Sequence, residues 1–365
     1  MPYAPCKLPE YPLERDMWDV LREEKRPVLV YGMGNGADKL FSRLEQYGVR
    51  VADVFASDGF VRGHFYKGIR VKSFSEIKEL YSDFVILLSF ASRREDVLSL
   101  ICEIDGKYDM YIPDMPVAGA EEYFDREFYN KNYCEIVKAY EALADTASKN
   151  AFANIVSYKL SGKLCFLEAA WSDKRDKYTL FDTGNVKKAL DLGAYNGDTA
   201  REFTEVFPAL GEIVALEADI KNYKKLKKYA ETICPVKIRT VNAAVWSSCG
   251  EAILASSGNR NSSVSSTASY QHKSGEVGLL SVDSMELSVD YIKYDVEGAE
   301  YEALLGTDKT VLRSRPVLSV SVYHRSRDIF SLVNYMAEKY PFYRLYIRRV
   351  RCVPAWEIDL ICVPT

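Results

Sequence analysis

The stretch Lys188 to Thr199, KALDLGAYNGDT, constrains this chain more than any other, because it joins a short apolar strand to a helix through a turn with two glycines. Ala189, Leu190 and Leu192 make the strand. Gly193 and Gly197 punctuate the turn, and Asp198-Thr199 opens AREFTEVF, whose apolar spacing is helical. Such a unit belongs in a parallel sheet, with the turn at the carboxyl edge where ligands of open α/β folds bind. Glycine lets backbone approach a ligand without an intervening side chain. Glu217, closing the next strand in EIVALEAD, stands ~20 residues on, where an acid can accept both hydroxyls of a ribose.

Two nucleotide-like ligands compete for such a turn. A dinucleotide brings a pyrophosphate, which wants the glycines of GxGxxG and is repelled by nearby carboxylates. Asp191 at the strand end and Asp198 at the helix start suit instead a ligand carrying an ammonium and a sulfonium, so S-adenosylmethionine fits better than NAD.

The 365 residues are enough for two domains. A net charge of −4, from 48 basic and 52 acidic residues, supplies no global field to recruit nucleic acid. The eight cysteines form no CxxC pair and follow no secretory leader, which points to free thiols and a cytoplasmic protein. No apolar run approaches the ~20 residues of a membrane helix, so membrane insertion is not expected.

Along the chain, residues 1–26 read as a proline-rich lead-in that turns helical near Asp16 to Glu23. Residues 27–114 read as a small doubly wound α/β domain with about four strands. Its first turn, Gly32, Gly34, Gly36-Ala37, matches GxGxxA, and Asp58 follows the second strand as a ribose acid would. The glycines serve equally well for a tight turn and helix–sheet packing. Residues 115–182 are aromatic-rich and nearly free of glycine and proline, which predicts two or three helices ending in a solvated DKRDK loop. From 183 to 365 the α/β pattern returns. The lysines of 221–228 read as the solvated face of its second helix. NAAV (242–245) ends the third strand, where Ala243 and Ala244 leave room for an adenine and Asn242 can bond its edge. The polar stretch 256–276, with Arg260 and His272, is too long for a simple connection and reads as a lid or surface loop.

In VDYIKYDVEGAE, strand alternation puts Lys293 and Asp295 on one side, and Glu297-Gly298 turns into a helix. Asp295 and Glu297 should face the ligand held at Gly193 and Glu217. His324, in VSVYHRSRDIF, is the one histidine of three that ends a strand expected to face the site.

Together these blocks resemble the FkbM family of S-adenosylmethionine-dependent methyltransferases, over roughly 140–365. DLGAYNGDT, Glu217, NAAV, KYDVEGAE and YHRSRDI occur in the family's order. Two departures stand out: Tyr195 occupies a position that is glycine in many class I methyltransferases, and the last-strand block LYIRRVRC carries Arg348 and Arg349 where related members tend to place a histidine. The resemblance implies a class I α/β fold, a mostly parallel seven-stranded sheet with an antiparallel last strand near WEIDLICVP, beside the smaller Rossmann-like domain. It implies donor contacts from Asp191, Gly193, Ala194, Asn196, Gly197, Asp198, Thr199, Glu217, Ala218, Asn242, Ala243, Ala244 and Asp295.

The expected activity is O-methylation of a carbohydrate-type hydroxyl on a small molecule or glycan. His324 acts as general base, with Asp295 and Glu297 orienting it or the hydroxyl. A rival arrangement places a divalent metal among Asp295, Glu297 and His324; the metal-free route is the simpler expectation. Two further classes stay open, an NAD-dependent oxidoreductase or epimerase using Gly32 to Ala37, and a non-catalytic binding module.

Overall fold

The computed structural model describes residues 7–118, 122–232, 235–255, 263–265 and 275–365. The lead-in becomes helix α1 (Met17–Glu23), where Asp16 and Asp19 cap each other's backbone N–H groups. A first α/β unit follows: β1 (Val28–Tyr31), α2 (Asn35–Gln46), β2 (Val51–Ala56), a hairpin of β3 (Phe65–Tyr66) and β4 (Ile69–Arg70), β5 (Lys72–Ser73), α3 (Phe74–Leu80), β6 (Val85–Leu88), α4 (Glu95–Asp105) and β7 (Asp109–Tyr111). Its sheet has the order β5-β2-β1-β6-β7, with every pair parallel. The fifth strand is two residues long, too short to leave a periodic signal. β1 and β6 are buried along their whole length, which is why both read as unbroken apolar runs.

Two of the three glycines in the turn after β1 are explained by packing, while Gly34 has open space around it and a φ of 115. A Cβ on Gly32 would meet the Phe90 ring at 2.6 Å, and one on Gly36 would collide with the Ser89 carbonyl oxygen. Asp58 lies beyond the strand in a short 3-10 turn, and its carboxylate accepts from the Ser75 backbone N–H and hydroxyl.

Three helices, α5 (Arg126–Ala142), α6 (Thr146–Ser161) and α7 (Leu164–Ala170), come next. α6 is buried on nearly all sides, and its Lys159 reaches Asp114 at 2.6 Å inside the protein. An apolar helix of this kind needs neighbours on every face, and here it lies within the core that both α/β units share.

The second α/β unit contains β8 (Lys188–Leu192), α8 (Asp198–Val206), β9 (Glu212–Leu216), α9 (Ile220–Ala230), β10 (Lys237–Val241), β11 (Ala244–Val245), β12 (Gly250–Ala255), β13 (Ser263–Ser265), β14 (Gly275–Leu280), β15 (Tyr291–Tyr294), α10 (Glu300–Leu305), α11 (Asp308–Ser314), β16 (Val317–Ser321), α12 (Asp328–Lys339), β17 (Tyr343–Arg349) and β18 (Ile358–Pro364). The main sheet runs β10-β9-β8-β15-β16-β18-β17, and β18 is antiparallel to both neighbours. This is the expected class I layout. β11 to β14 form a second sheet, ordered β11-β14-β12-β13. The stretch expected as a loop at 256–276 therefore contributes β13 and the start of β14; Arg260 and His272 lie outside the described residues.

Arg348 and Arg349 act as fasteners. Arg348 pairs with Asp145 at 2.8 Å and with Asp176, and donates to the Ser148 hydroxyl. Arg349, 1% exposed, donates to the carbonyls of Leu167, Cys352 and Pro354. These two residues tie β17 to the intervening helices and to its own loop. Among the described residues no helix is long and apolar enough to cross a membrane.

Candidate functional site

One cleft lies over the carboxyl ends of β8, β9, β10, β15 and β16. After β8 the chain turns through Gly193 at φ 86, Tyr195 at φ 47 and Gly197 at φ 93, and α8 begins. The N–H groups of Gly193 and Ala194 both donate to the Leu216 carbonyl, which pins this turn to the end of β9. Glu217 then fixes two turns at once. One carboxylate oxygen accepts from Tyr195 N–H and the other from Asp219 N–H, each at 2.8 Å. Burial pushes this carboxyl up to about 7 although both backbone bonds favour its charge. A carboxylate has about four acceptor positions, so two remain for a ligand. Ala218, Ala243, Ala244 and Val245 supply small apolar lining beside it, and Asn222 adds a polar edge.

The other half of the cleft is a charged cluster. Lys293 Nζ lies 3.0 Å from Asp295 Oδ2 and 3.8 Å from Asp191 Oδ1. Burial works against its charge, yet the two carboxylates hold Lys293 above the usual lysine range. Asp295, opposed by burial but held by Lys293 and His324, is pulled down to about 2. His324 is 1% exposed. Its Nε2 stands 3.5 Å from Asp295 Oδ1 and 3.6 Å from Glu297 Oε2. Its Nδ1 stands 2.9 Å from Glu300 Oε1, a contact close enough for an ion pair but out of line for a hydrogen bond. Burial would lower this imidazole, but Glu300, Glu297 and Asp295 together push it up to about 10. Glu297 sits at φ 54, beside Gly298 at φ 97, and burial raises its carboxyl to about 7 against the pull of His324. Among the described residues no group of three or more His, Cys, Asp and Glu side chains takes an arrangement that could hold a metal ion.

Residues 191–349, which supply most of this cleft, match the family described as the methyltransferase FkbM domain. These residues form a methyltransferase FkbM domain. It is an S-adenosylmethionine-dependent methyltransferase unit. The structure is similar to that of a methyltransferase FkbM from Methylobacillus flagellatus, with TM-score 0.69 and 18% identity over 94% of this chain and 92% of that one. This likeness takes in the N-terminal α/β unit and shows a shared fold. A SAH-bound methyltransferase from Podospora anserina aligns at TM-score 0.33 and 11% identity, over 75% of this chain and 97% of that one. No curated protein matches the chain in sequence.

Within the FkbM domain the structure redistributes several expected roles. Gly193, Asp198, Thr199, Glu217, Ala218, Ala243, Ala244, Asp295 and Glu297 line the cleft. Asp191, Ala194, Asn196, Gly197, Asn242 and His324 do not. Asp191 is fully buried, with no hydrogen bond to either oxygen, and burial pushes its carboxyl up to about 7 against the pull of Lys293, 3.8 Å away. Asn242 gives its amide to the carbonyls of Glu217 and Ala218 at 2.8 and 3.1 Å, so it ties strand ends together where an adenine contact was expected. Gly197 is required by its φ of 93 and by the Tyr229 ring, with which a Cβ would clash, and Gly193 by the Asp295 carbonyl oxygen. Close packing of chain on chain therefore explains both glycines.

His324, expected as the general base, lies behind the cleft wall, where Glu300, Glu297 and Asp295 favour its protonated form. Sequence inspection missed Glu300, whose side chain also accepts from the N–H groups of Val296 and Gly298. Its position in KYDVEGAE was its only signal. Lys174 and Lys177 of the expected solvated loop line the cleft too, paired with Glu202 at 2.7 Å and Asp359 at 2.9 Å.

Proposed function

We propose that the chain transfers a methyl group from S-adenosylmethionine to a hydroxyl of a carbohydrate-type metabolite, and that Glu297 receives the hydroxyl proton. The observation that carries this reading is the pair of largely buried carboxylates facing one cleft, Glu217 over β9 and Glu297 beyond β15.

On the Glu217 side the fit to the donor is chemical. The anchored carboxylate can accept paired ribose hydroxyls, Ala243 and Ala244 leave space for a flat base, and Asp198 and Glu202 suit cationic groups. When bound, the donor supplies a methyl group already activated by its sulfonium. The protein's own work is then to align an oxygen and remove its proton. A hydroxyl keeps its proton at pH 7, so a base must take it as the bond forms. A base with pKa near the operating pH does this best. Glu297 meets that requirement because burial has raised it, and it faces the cleft where His324 does not. The His324 imidazolium, held from behind by Glu300, positions Glu297 and Asp295. A cytoplasmic setting is consistent with the described cysteines, which are all unpaired.

The test separates the two carboxylates. Glu217→Ala should weaken donor binding by ~1.5–3 kcal/mol in calorimetry. Glu297→Gln should leave the donor Kd within about twofold and lower methyl transfer by ~10²–10⁴. Full turnover in Glu297→Gln would remove it from the chemistry.

A further inference from the structure

The N-terminal α/β unit reaches into the cleft of the methyltransferase unit. The loop after β6 and the loop between β17 and β18 are joined by reciprocal backbone bonds, Ser92 N–H to the Val353 carbonyl at 2.9 Å and Val353 N–H to the Ser92 carbonyl at 3.0 Å. Arg351 extends the joint to Glu95 and Glu168, each at 2.9 Å. Beside this joint, Arg93 Nη1 meets Glu357 Oε1 at 2.9 Å, and both residues line the cleft.

Strand order says which half of the cleft they line. Gly193, Glu217 and the Ala243–Ala244 turn sit over β8, β9 and β10, at one end of the sheet. Glu357, just before β18, and Asp359, at its start, lie beyond β15 and β16 on the other side. With the donor over the first half, Arg93 and Glu357 face whatever lies over the second. The charges there are matched: Lys293 with Asp295, Lys177 with Asp359, Arg93 with Glu357. Among the described residues of this half no surplus cation is left for a phosphate, and Glu297 adds a carboxylate. What remains is a guanidinium, with one of five N–H donors spent on Glu357, beside a carboxylate acceptor. A sugar hydroxyl both donates and accepts, so adjacent hydroxyls can bridge such a pair.

We propose that Arg93 and Glu357 form the far wall of the acceptor subsite, so that the N-terminal unit reads hydroxyls of a neutral polyhydroxylated ring while the FkbM domain holds the donor. This rests on the hydroxyl-acceptor reading above. The guanidinium sets which acceptor is held and in what orientation. It takes no part in donor binding.

The test uses the full chain saturated with S-adenosylhomocysteine and methyl α-D-glucopyranoside as the probe, followed by saturation-transfer NMR. The wild type should transfer saturation to the glycoside at millimolar concentration. Arg93→Ala and Glu357→Gln should each reduce that signal at least about fivefold, with S-adenosylhomocysteine affinity by calorimetry within about twofold of wild type. That retained affinity shows the variants are folded. A glycoside signal that survives unchanged in both variants overturns the role of Arg93 and Glu357 and leaves the hydroxyl-acceptor reading standing. Absence of any signal with the wild type overturns that reading and this inference together.

Discussion

Replacing Glu300 by glutamine should convert His324 from a fixed cation into an ordinary titrating histidine. Three carboxylates hold the imidazole up to about 10, and Glu300 is the nearest, 2.9 Å from Nδ1. At the effective dielectric of ~20 that suits buried sites, a unit charge at this distance contributes roughly 6 kcal/mol, about 4 pKa units. Removing it should bring His324 to about 6, since burial then opposes Glu297 and Asp295 alone. Glutamine keeps a side-chain oxygen for the Val296 N–H, so the 295–298 turn should persist. The assay is a ¹⁵N titration of the imidazole rings. The chain has three histidines, His64, His272 and His324, and a His324→Asn variant assigns the resonances. In the wild type the His324 nitrogens should keep imidazolium shifts through pH 8.5. A wild-type His324 that deprotonates near 6.5, or a Glu300→Gln protein in which it moves by less than one unit, would refute the electrostatic argument.

Donor affinity should rise with pH and level off above about 7. Glu217 sits near 7 in the free protein, and ribose hydroxyls donating to it favour the carboxylate, so binding releases a proton. Affinity should grow up to about tenfold per pH unit below 7 and stay flat above 8; calorimetry in buffers of different ionisation enthalpy reads the proton directly. Gly193→Ala should destabilise the protein by on the order of 2–4 kcal/mol, because φ is 86 and the new methyl meets the Asp295 carbonyl oxygen. A thermal melt would detect this, and an unchanged Tm would contradict it.

Much of the fold was legible because it is written in local patterns. The run Ala189–Leu192, the acid Glu217 and the block Lys293–Glu300 each carry strand, turn and helix signals within a dozen residues, and their order along the chain implies a class I sheet. The short β5 and the small sheet of β11 to β14 left no such signal. A two-residue strand has no period, and the apolar residues of β12 and β14 are few and broken by glycine and polar positions.

What the sequence determined by itself is which residue types stand at the carboxyl edge of the sheet: glycines, Glu217, Asp295, Glu297. The charge each one carries is a tertiary fact. Asp295, Glu297 and Glu300 converge on His324 and favour its protonated form, and Asp191, pushed up to about 7 by burial, lies 3.8 Å from Lys293, one strand over. Periodicity assigns a side chain to a face, but electrostatic energy depends on separations of a few ångströms between strands far apart in the chain. For the same reason nothing near Arg93 in the sequence marks it out. Only the joint between the loops after β6 and β17 brings it 2.9 Å from Glu357, at the edge of a cleft built some hundred residues later.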